Sequence, residues 1–231
     1  METLIPARFN GPPDSGNGGY SCGVLAAHIE GPARVRLHVP PPLDATLTIT
    51  EAGDGQVDMS QGATLVASAW PAELDLDIPL APSLAQARDA RERFIAWDDH
   101  YLPTCFVCGP GRPAHDGLEL FPGPVTDWSL LACPWQPAAD MLDSAGNVRE
   151  EVVWGALDCP GYFAAGGENP PVALLGELVG EIRQPVPGAE ELVVYAWPMG
   201  QEGRKSWGGT AIANQAGEIL AASRSLWITL K

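Results

Sequence analysis

Polar and apolar side chains alternate along several short stretches in the first third of the chain. The alternation is found at four places, in residues 34–39, 46–50, 56–59 and 64–70. A period of two, with glycine-rich turns between the stretches, is typical of antiparallel strands that have one solvated face. The small and apolar stretch before them, Tyr20 to Ile29, predicts a short helix. The first segment is therefore predicted to be a helix followed by about four strands.

The second half of the chain repeats this plan. Residues Glu150 to Ala164 place apolar side chains on one helical face, with two glutamates in the favourable first turn. Strand candidates lie on both sides of this helix, in residues 117–121, 128–135, 172–186, 192–199 and 203–228, the last divided by a turn at 214–217. The segment Gly62 to Ser68 also matches Gly217 to Ser223, with Gly, Leu, Ala and Ser in register. The sequence therefore indicates an internal duplication.

A connecting helix is predicted between the two segments. Ser83 and Gln86 have the spacing of a capping box, and the following residues are rich in Ala, Arg and Glu. We therefore divide the chain into a first unit at 1–82, a connecting helix or linker at 83–103 and a second unit at 104–231. Each unit combines a helix with an antiparallel sheet, so the predicted fold class is α+β.

The composition excludes several functions. The 231 residues include 29 acidic and 13 basic side chains, a formal net charge of -16. Nucleic acids and anionic membranes are therefore not expected partners, because binding to either depends on positive charge. The N-terminus has no pattern of a targeting segment, and an odd number of cysteines, five, suits a reducing compartment. We expect a soluble cytoplasmic protein.

The segment Gly19-Tyr20-Ser21-Cys22-Gly23 matches the G-x-S-x-G pattern of the nucleophile elbow, a strained turn that exposes a catalytic serine. The elbow needs a buried strand directly before it, whereas a polar loop precedes this segment. The triad histidine usually comes late in the chain, yet His115 is the last histidine. A glycine-rich helix start with close backbone packing is the favoured interpretation, and a serine hydrolase is the third hypothesis for the function.

Cys105 and Cys108 form a C-x-x-C motif, which suits half of a zinc site or a redox pair. No second C-x-x-C exists, and His115 is the only histidine that follows the motif. A tetrahedral site would therefore need Cys133 or Cys159, both distant in the sequence. We expect a tight turn with two partly buried thiols, and neither a metal nor another cofactor.

Asp158 is a candidate functional residue. It follows the apolar run Val152-Val153-Trp154-Gly155-Ala156-Leu157, where an unpaired carboxylate is costly to bury. The alternative is a turn-forming aspartate, because Pro160 is expected to end the helix there.

The stretch Cys105-Phe106-Val107-Cys108-Gly109, followed by Gly117-Leu118-Glu119-Leu120, resembles the opening of many hot-dog-fold acyl-CoA thioesterases. Those proteins begin C-F-x-C-G and G-L-x-L, and continue with G-x-V-H-G-G and an acidic residue nine positions after the His. Here Gly146-Asn147-Val148 leads to Arg149 in the His position, and Asp158 stands at the acidic position. This half keeps the acid and lacks the His-Gly-Gly.

The first half shows the complement. Asn17-Gly18-Gly19 resembles the His-Gly-Gly, while Ala26 stands where the acid would be. In the family, a site combines the glycine-rich helix start of one hot-dog unit with the acid of its partner. The resemblance therefore implies a tandem (double) hot-dog fold, two helix-wrapped antiparallel sheets joined edge to edge, with one catalytic site made of Asn17, Gly18, Gly19 and Asp158. Glu150 and Glu151, which replace the glycines of the second half, would face Ala26 in an inactive site.

This composite site suits thioester hydrolysis. Backbone N–H groups at a glycine-rich helix start stabilise the carbonyl oxygen as it becomes negative, and the carboxylate activates water or attacks directly. The resemblance thus implies hydrolysis of an acyl-CoA, or a related acyl thioester, by a chain that can pair into a homodimer. The runner-up is a hot-dog protein that binds an acyl or aromatic ligand without turning it over.

Further residues are expected near the substrate. Tyr20 and Trp154 are expected to bind the substrate. The basic residues expected near the CoA phosphates are Arg183, Arg204, Lys205 and Arg224, with solvated strand charges as the alternative. Some double-unit thioesterases combine an Asp, a Ser or Thr and a Gln, and Ser225 stands near the place of that Gln.

Overall fold

One antiparallel sheet of eleven strands runs through the molecule in the computed structural model, which describes residues 1–230. The strands are β1 (Glu2–Thr3), β2 (Ala33–Leu37), β3 (Leu47–Gly53), β4 (Gln56–Gln61), β5 (Thr64–Pro71), β6 (Gly123–Pro124), β7 (Leu131–Trp135), β8 (Ala173–Ile182), β9 (Leu192–Glu202), β10 (Lys205–Ala213) and β11 (Ile219–Thr229). They lie in the order β1-β3-β4-β5-β2-β8-β11-β10-β9-β7-β6. Every neighbouring pair is antiparallel, so the predicted α+β class is confirmed.

Helices cover the sheet at its centre and toward its ends. They are α1 (Gly18–Ala26), α2 (Leu84–Arg91), α3 (Glu150–Ala156) and α4 (Cys159–Gly166), with short 3-10 turns at Ala7–Phe9 and Ala139–Met141. α1 packs against α3 and against β2, while α4 packs on β9 and β10 and α2 on β7. Among residues 1–230, no helix has the length and apolar character needed to cross a membrane.

The strand order is the same on both sides of the central pair, β2 and β8. Moving outward from β2, the sheet presents β5, β4 and β3, and from β8 it presents β11, β10 and β9. Strands β2 to β5 follow α1 in the chain, and strands β8 to β11 follow α4. In each set of four, the first strand is central in the sheet, and the fourth, third and second strands lie successively farther out. The central pairing runs from Ala33 opposite Gly180 to Arg36 opposite Glu177. This repeated order agrees with an internal duplication.

The burial of the central strands follows the alternation in the sequence. Val35 of β2 is buried, while its neighbours Arg34 and Arg36 are exposed. On β8, a Cβ atom at Gly180 would lie only 3.0 Å from the ring of Trp154, so the absence of a side chain lets the indole of α3 cover the middle of the sheet. Burying such a large aromatic surface contributes strongly to the core.

The single helix predicted over 150–164 is two helices in the structure. α3 ends at Ala156 and α4 begins at Cys159, with Asp158 as the N-cap residue between them. Pro160 therefore does not end a helix; it occupies the first turn of α4, where its fixed φ fits and its missing N–H costs no helical hydrogen bond. The break turns the Asp158 side chain away from the axis of α3.

Two further expectations need correction. Residues 117–121 are not a strand: the N–H groups of Leu118 and Leu120 donate to the carbonyl oxygens of Phe106 and Val107, so this stretch pairs with the C-x-x-C turn instead of the sheet. The connecting helix is confined to α2, whose capping box at Ser83 has both of its hydrogen bonds.

Candidate active site

Asn17 is the N-cap residue of α1 and is buried. Its Oδ1 accepts a hydrogen bond of 2.8 Å from the N–H of Tyr20, and its own N–H donates to the carbonyl oxygen of Phe9 at 2.7 Å. An N-cap side chain of this kind pairs one of the free donors of the first helical turn. Because Oδ1 faces the helix, the amide Nδ2 points away from it toward the second half of the chain.

The carboxylate of Asp158 lies against this helix start. Its Oδ2 accepts hydrogen bonds from the N–H of Gly19 at 2.8 Å and from Nδ2 of Asn17 at 2.9 Å. The residue is only 2 % exposed, and its Oδ1 has no hydrogen-bond partner among the described residues. The structure thus brings together Asn17, Gly19 and Asp158, which are predicted as one site although about 140 positions separate them.

The environment of Asp158 raises the pKa of its carboxyl group. Burial raises the pKa of this carboxyl group to about 7, while the hydrogen bond from Gly19 opposes the increase, Cys105 adds to it and Asn17 opposes it. Burial penalises the charged form, whereas donors to a carboxylate favour it. A carboxyl group with a pKa near neutrality is suited to accepting and returning a proton.

Gly19 allows α1 and Asp158 to approach each other. A Cβ atom at this position would lie 2.4 Å from Cβ of Asp158 and 2.5 Å from the carbonyl oxygen of Trp154. The space left by the missing side chain is therefore taken by α3 and by the turn after it that carries Asp158.

Gly18 supplies a free donor at the start of α1. It is the first residue of the helix, so its N–H has no partner within the helix, and no other acceptor is found for it in residues 1–230. Gly18 also lines a cavity of about 550 Å³, together with Asn17 and Asp158. The N–H of Gly18 is therefore available to an oxygen atom of a ligand in this cavity.

Apolar side chains from both halves of the chain form most of this cavity. β2 contributes Leu37, β8 contributes Leu175, and the end of β11 contributes Trp227 and Ile228. The C-x-x-C turn between α2 and β6 adds Cys105, and Cys159 at the start of α4 lies beside Asp158. No local sequence pattern indicates Leu37, Leu175 or Trp227, because strand pairing across the two halves brings them together.

Tyr20 and Trp154 do not line this cavity. Tyr20 is buried and stacks on Phe9, with ring centroids 4.0 Å apart, and burial raises the pKa of its hydroxyl to about 12. The ring of Trp154 is buried against Gly180 at the centre of the sheet. Both aromatic residues pack beside the helices that carry the site and are not exposed to its cavity.

The four basic residues are distributed over the sheet and do not line the cavity. Arg183 pairs with Glu181 at 2.9 Å, and Arg224 lies opposite Val179 on β8. Arg204 and Lys205 are nearer to the cavity: Arg204 donates to the carbonyl oxygen of Thr229 at 3.3 Å, and Lys205 pairs with Ile228. The structure therefore places two of the four beside the cavity rim.

Ser21 and Ser225 are engaged in structural hydrogen bonds. The hydroxyl of Ser21 is buried inside α1 and donates to the carbonyl oxygen of Asn17 at 2.7 Å, so G-x-S-x-G is part of a helix here and not an elbow. Ser225 donates to the carbonyl oxygen of Gly208 and accepts from Nε1 of Trp227. Neither hydroxyl hydrogen-bonds to Asp158.

The corresponding position in the second half lacks this arrangement. Arg149 is the N-cap residue of α3, as Asn17 is of α1, but its side chain makes no capping hydrogen bond. It instead forms an ion pair with Glu151 at 3.4 Å, and Ala26 at the end of α1 offers no acid. Only the pairing of α1 with Asp158 presents donors and a carboxyl group together.

Solved structures of other proteins share this architecture. A protein of unknown function with a hot-dog fold, from Alicyclobacillus acidocaldarius, superposes with a TM-score of 0.62 at 12% identity, over 100% of this chain and 92% of its own. This chain adopts the hot-dog fold. Its strand order and its helices α1 and α3, packed over the sheet centre, are the hot-dog framework on which the site is built.

Two thioesterase structures show the same hot-dog likeness. The TM-score is 0.60 at 12% identity for the tesB protein of Mycobacterium avium subspecies paratuberculosis, covering 99% of this chain and 91% of that one. It is 0.55 at 12% identity for an acyl-CoA thioesterase II of Mycobacterium marinum, covering 87% and 80%. Identities this low establish the fold alone. No family model and no curated protein matches the sequence.

Proposed function

We propose that the chain is a tandem hot-dog enzyme that hydrolyses acyl thioesters at one composite site. One observation carries this proposal: the carboxyl group of Asp158 lies against the start of α1, beside an apolar cavity that is also lined by Gly18, whose N–H has no partner in residues 1–230. A fixed donor, a carboxyl group and an apolar cavity are what the hydrolysis of an acyl thioester requires. The names of the two thioesterase neighbours agree with this proposal.

The substrate would bind with its acyl chain along Leu37, Leu175 and Trp227 and its carbonyl oxygen at the N–H of Gly18. Both the donor and the positive end of the α1 dipole favour negative charge on that oxygen. The site holds no second free donor of α1, because Gly19 is bonded to Asp158 and Tyr20 to Asn17. Gly18 is thus the proposed oxyanion donor.

The proposed chemistry uses Oδ1 of Asp158, the oxygen without a protein partner. This oxygen takes a proton from water, and the hydroxyl oxygen adds to the thioester carbon. The tetrahedral intermediate then breaks its C–S bond, and the proton on Asp158 passes to the leaving sulfur. The products are a carboxylic acid and a thiol, and Asp158 returns to its starting state. Asn17 and Gly19 hold Oδ2, so only Oδ1 moves protons.

The proposed substrate is an acyl-CoA, with Arg204 and Lys205 near its phosphates. Both residues lie beside strand residues of the cavity rim, whereas the described cavity lining itself contains neither arginine nor lysine. A carrier-bound acyl group remains the related alternative. The homodimer of such chains also remains a proposal.

The test is a hydrolysis assay with acyl-CoA substrates of increasing chain length and detection of the free thiol. Turnover that depends on chain length supports the proposal. The specific alternative is a binding protein, which the mostly apolar lining of the cavity also favours. Saturable binding of acyl-CoA without release of thiol, at any chain length, would assign the chain to that class.

A further inference from the structure

Three buried cysteines meet between the two halves of the molecule. The Sγ atoms of Cys105, Cys108 and Cys159 all lie within 4.8 Å of one another, and those of Cys105 and Cys159 are 3.7 Å apart. The first two belong to the C-x-x-C turn, and the third is the first residue of α4. All three are free thiols. The fold therefore supplies the third ligand that the sequence places far from the motif.

The C-x-x-C turn is shaped around the sulfur of Cys105. The N–H of Gly109 donates to the carbonyl oxygen of Cys105 at 2.9 Å, and a Cβ atom at Gly109 would lie 2.5 Å from the backbone nitrogen of Cys105. The side-chain amide of Asn17 faces the same cluster, with its Nδ2 4.0 Å from Sγ of Cys105 and 3.8 Å from Sγ of Cys159. An N–H donor close to a sulfur favours the thiolate, which is the form of cysteine that binds metals.

We propose that Cys105, Cys108 and Cys159 bind one zinc ion. Zinc in proteins takes thiolate ligands at about 2.3 Å in a tetrahedron, which places sulfurs about 3.8 Å apart. The measured 3.7 Å between Cys105 and Cys159 matches that edge, and Cys108 needs only a small movement. On binding, each thiol releases one proton. One zinc ion and three thiols therefore give one zinc complex with three thiolate ligands, and three protons are released.

Three thiolates leave one position of the tetrahedron open. Cys105 and Cys159 line the cavity that contains Asp158, and Cys108 and Cys159 line a second cavity of about 330 Å³. The ion would thus be reached from either cavity, and water or a ligand atom completes the coordination.

His100 supplies a second observation at the same place. It lines the smaller cavity with Cys108 and Cys159, and its Nδ1 accepts the N–H of Leu102 at 2.9 Å. Its Nε2 therefore carries the proton in the neutral ring, and this buried atom has no partner in the described part of the chain. This N–H is therefore available to a water molecule or ligand that completes the zinc coordination from the smaller cavity.

The proposal does not depend on the hydrolytic function, and its test measures metal and not turnover. The protein is purified under reducing conditions without chelators, and zinc is measured by elemental analysis. We expect about one zinc ion per chain. In the apoprotein, added Co²⁺ should give the near-ultraviolet charge-transfer band of thiolate ligands. Removing zinc should also speed the alkylation of the three cluster cysteines and leave the rates of Cys22 and Cys133, which are buried outside the cluster, unchanged.

Matched variants separate the three-cysteine cluster from other buried thiols. Cys108→Ser and Cys159→Ser should lose zinc and the cobalt band, whereas Cys22→Ser and Cys133→Ser, which remove buried free cysteines outside the cluster, should keep both. If either cluster variant fails to fold, the alkylation pattern of the unmodified protein still decides. Trace zinc with no cobalt band would overturn the proposal. So would a disulfide between Cys105 and Cys159 in protein trapped from cells, or equal metal loss in the Cys133 variant.

Discussion

At the scale of single residues, Asp158 combines a proposed catalytic role with a cost in stability. Its carboxyl group is buried with one oxygen lacking a partner, which disfavours the charged state in the folded protein. Nothing in the packing of α3 and α4 requires a charge there. A group retained at such a cost is characteristic of a functional site.

Asp158→Asn should abolish hydrolysis and leave the fold intact. The amide is nearly isosteric, and its oxygen can still accept the hydrogen bonds from Asn17 and Gly19. We expect a loss of about 10²–10⁴-fold in kcat, because a proton acceptor is removed. The melting temperature should stay equal or rise, because no charge is buried.

Glu151→Gln, in the half that lacks the site, is the control for this variant and should retain activity. Steady-state acyl-CoA hydrolysis and thermal melts measure both effects. Wild-type turnover by a folded Asp158→Asn would exclude this residue from the chemistry.

Asn17 has two separable roles, capping α1 and donating to Asp158. Asn17→Ser keeps a good N-cap but removes the amide donor, so activity should fall while stability changes little. Losing a hydrogen bond to a charged group corresponds to about 1.5–3 kcal/mol, or roughly 10- to 100-fold in kcat. Ser83→Ala at the cap of α2 should do the reverse and cost about 1 kcal/mol of stability with full activity. If activity and stability change in the same way in Asn17→Ser as in Ser83→Ala, Asn17 is only a cap.

The site residues differ in how far the sequence could identify them. Asn17, Gly19 and Asp158 could be predicted because their spacing follows a motif, even though the motif is divided between the halves. The sequence could not assign Cys159 to one cluster with Cys105, because only the folding of α4 against the C-x-x-C turn brings the two sulfurs together. Sequence spacing carries no information on such long-range contacts.

At the scale of the elements, the contact between α1 and α3 sets the geometry of the site. Glycines of α1 face α3, and a Cβ atom at Gly23 would lie 2.6 Å from Cα of Glu151. The two helices therefore approach more closely than side chains on both would allow. This distance fixes how Asp158, just after α3, meets the start of α1.

Gly19→Ala should separate these helices and impair both stability and turnover. The added methyl group would meet Asp158 and the carbonyl oxygen of Trp154, both under 3 Å away, and overpacking of this kind costs about 1–3 kcal/mol. The control is Gly155→Ala in α3, whose new Cβ would find its nearest neighbour, Val107, at an ordinary 3.7 Å. This change should stabilise the helix by up to about 1 kcal/mol. Urea denaturation with activity assays measures both, and unchanged activity in Gly19→Ala would contradict the close-contact argument.

Element boundaries were predictable where local signals act alone. Capping at Ser83 and the alternation of β2 are local, and both are confirmed. The break at Asp158 was misplaced because Pro160 can follow one helix or open the next, and only the tertiary contact with α1 decides between these roles. Residues 117–121 have a strand-like composition, but their backbone hydrogen-bonds to the C-x-x-C turn and not to the sheet.

At the scale of the whole molecule, the two halves contribute unequal parts to a nearly symmetric framework. The strand order repeats about the pair β2 and β8, yet of the two helix starts only that of α1 receives a carboxyl group from the other half in residues 1–230. The short outer strands β1 and β6, of two residues each, limit further growth of the sheet. Any homodimer is therefore expected to use the faces of the molecule.

The overall charge also bears on the substrate. A net charge of -16 should repel the phosphates of CoA, and the described cavity lining has no basic residue to offset this. Salt screens such repulsion, so kcat/KM for an acyl-CoA should increase as salt rises from low to moderate concentration. An uncharged thioester with the same acyl group should show no such increase. Arg204 and Lys205, the proposed phosphate contacts, offset only part of this repulsion, so Lys205→Gln should steepen the increase. A kcat/KM that instead falls with salt would mean that these two residues outweigh the overall charge.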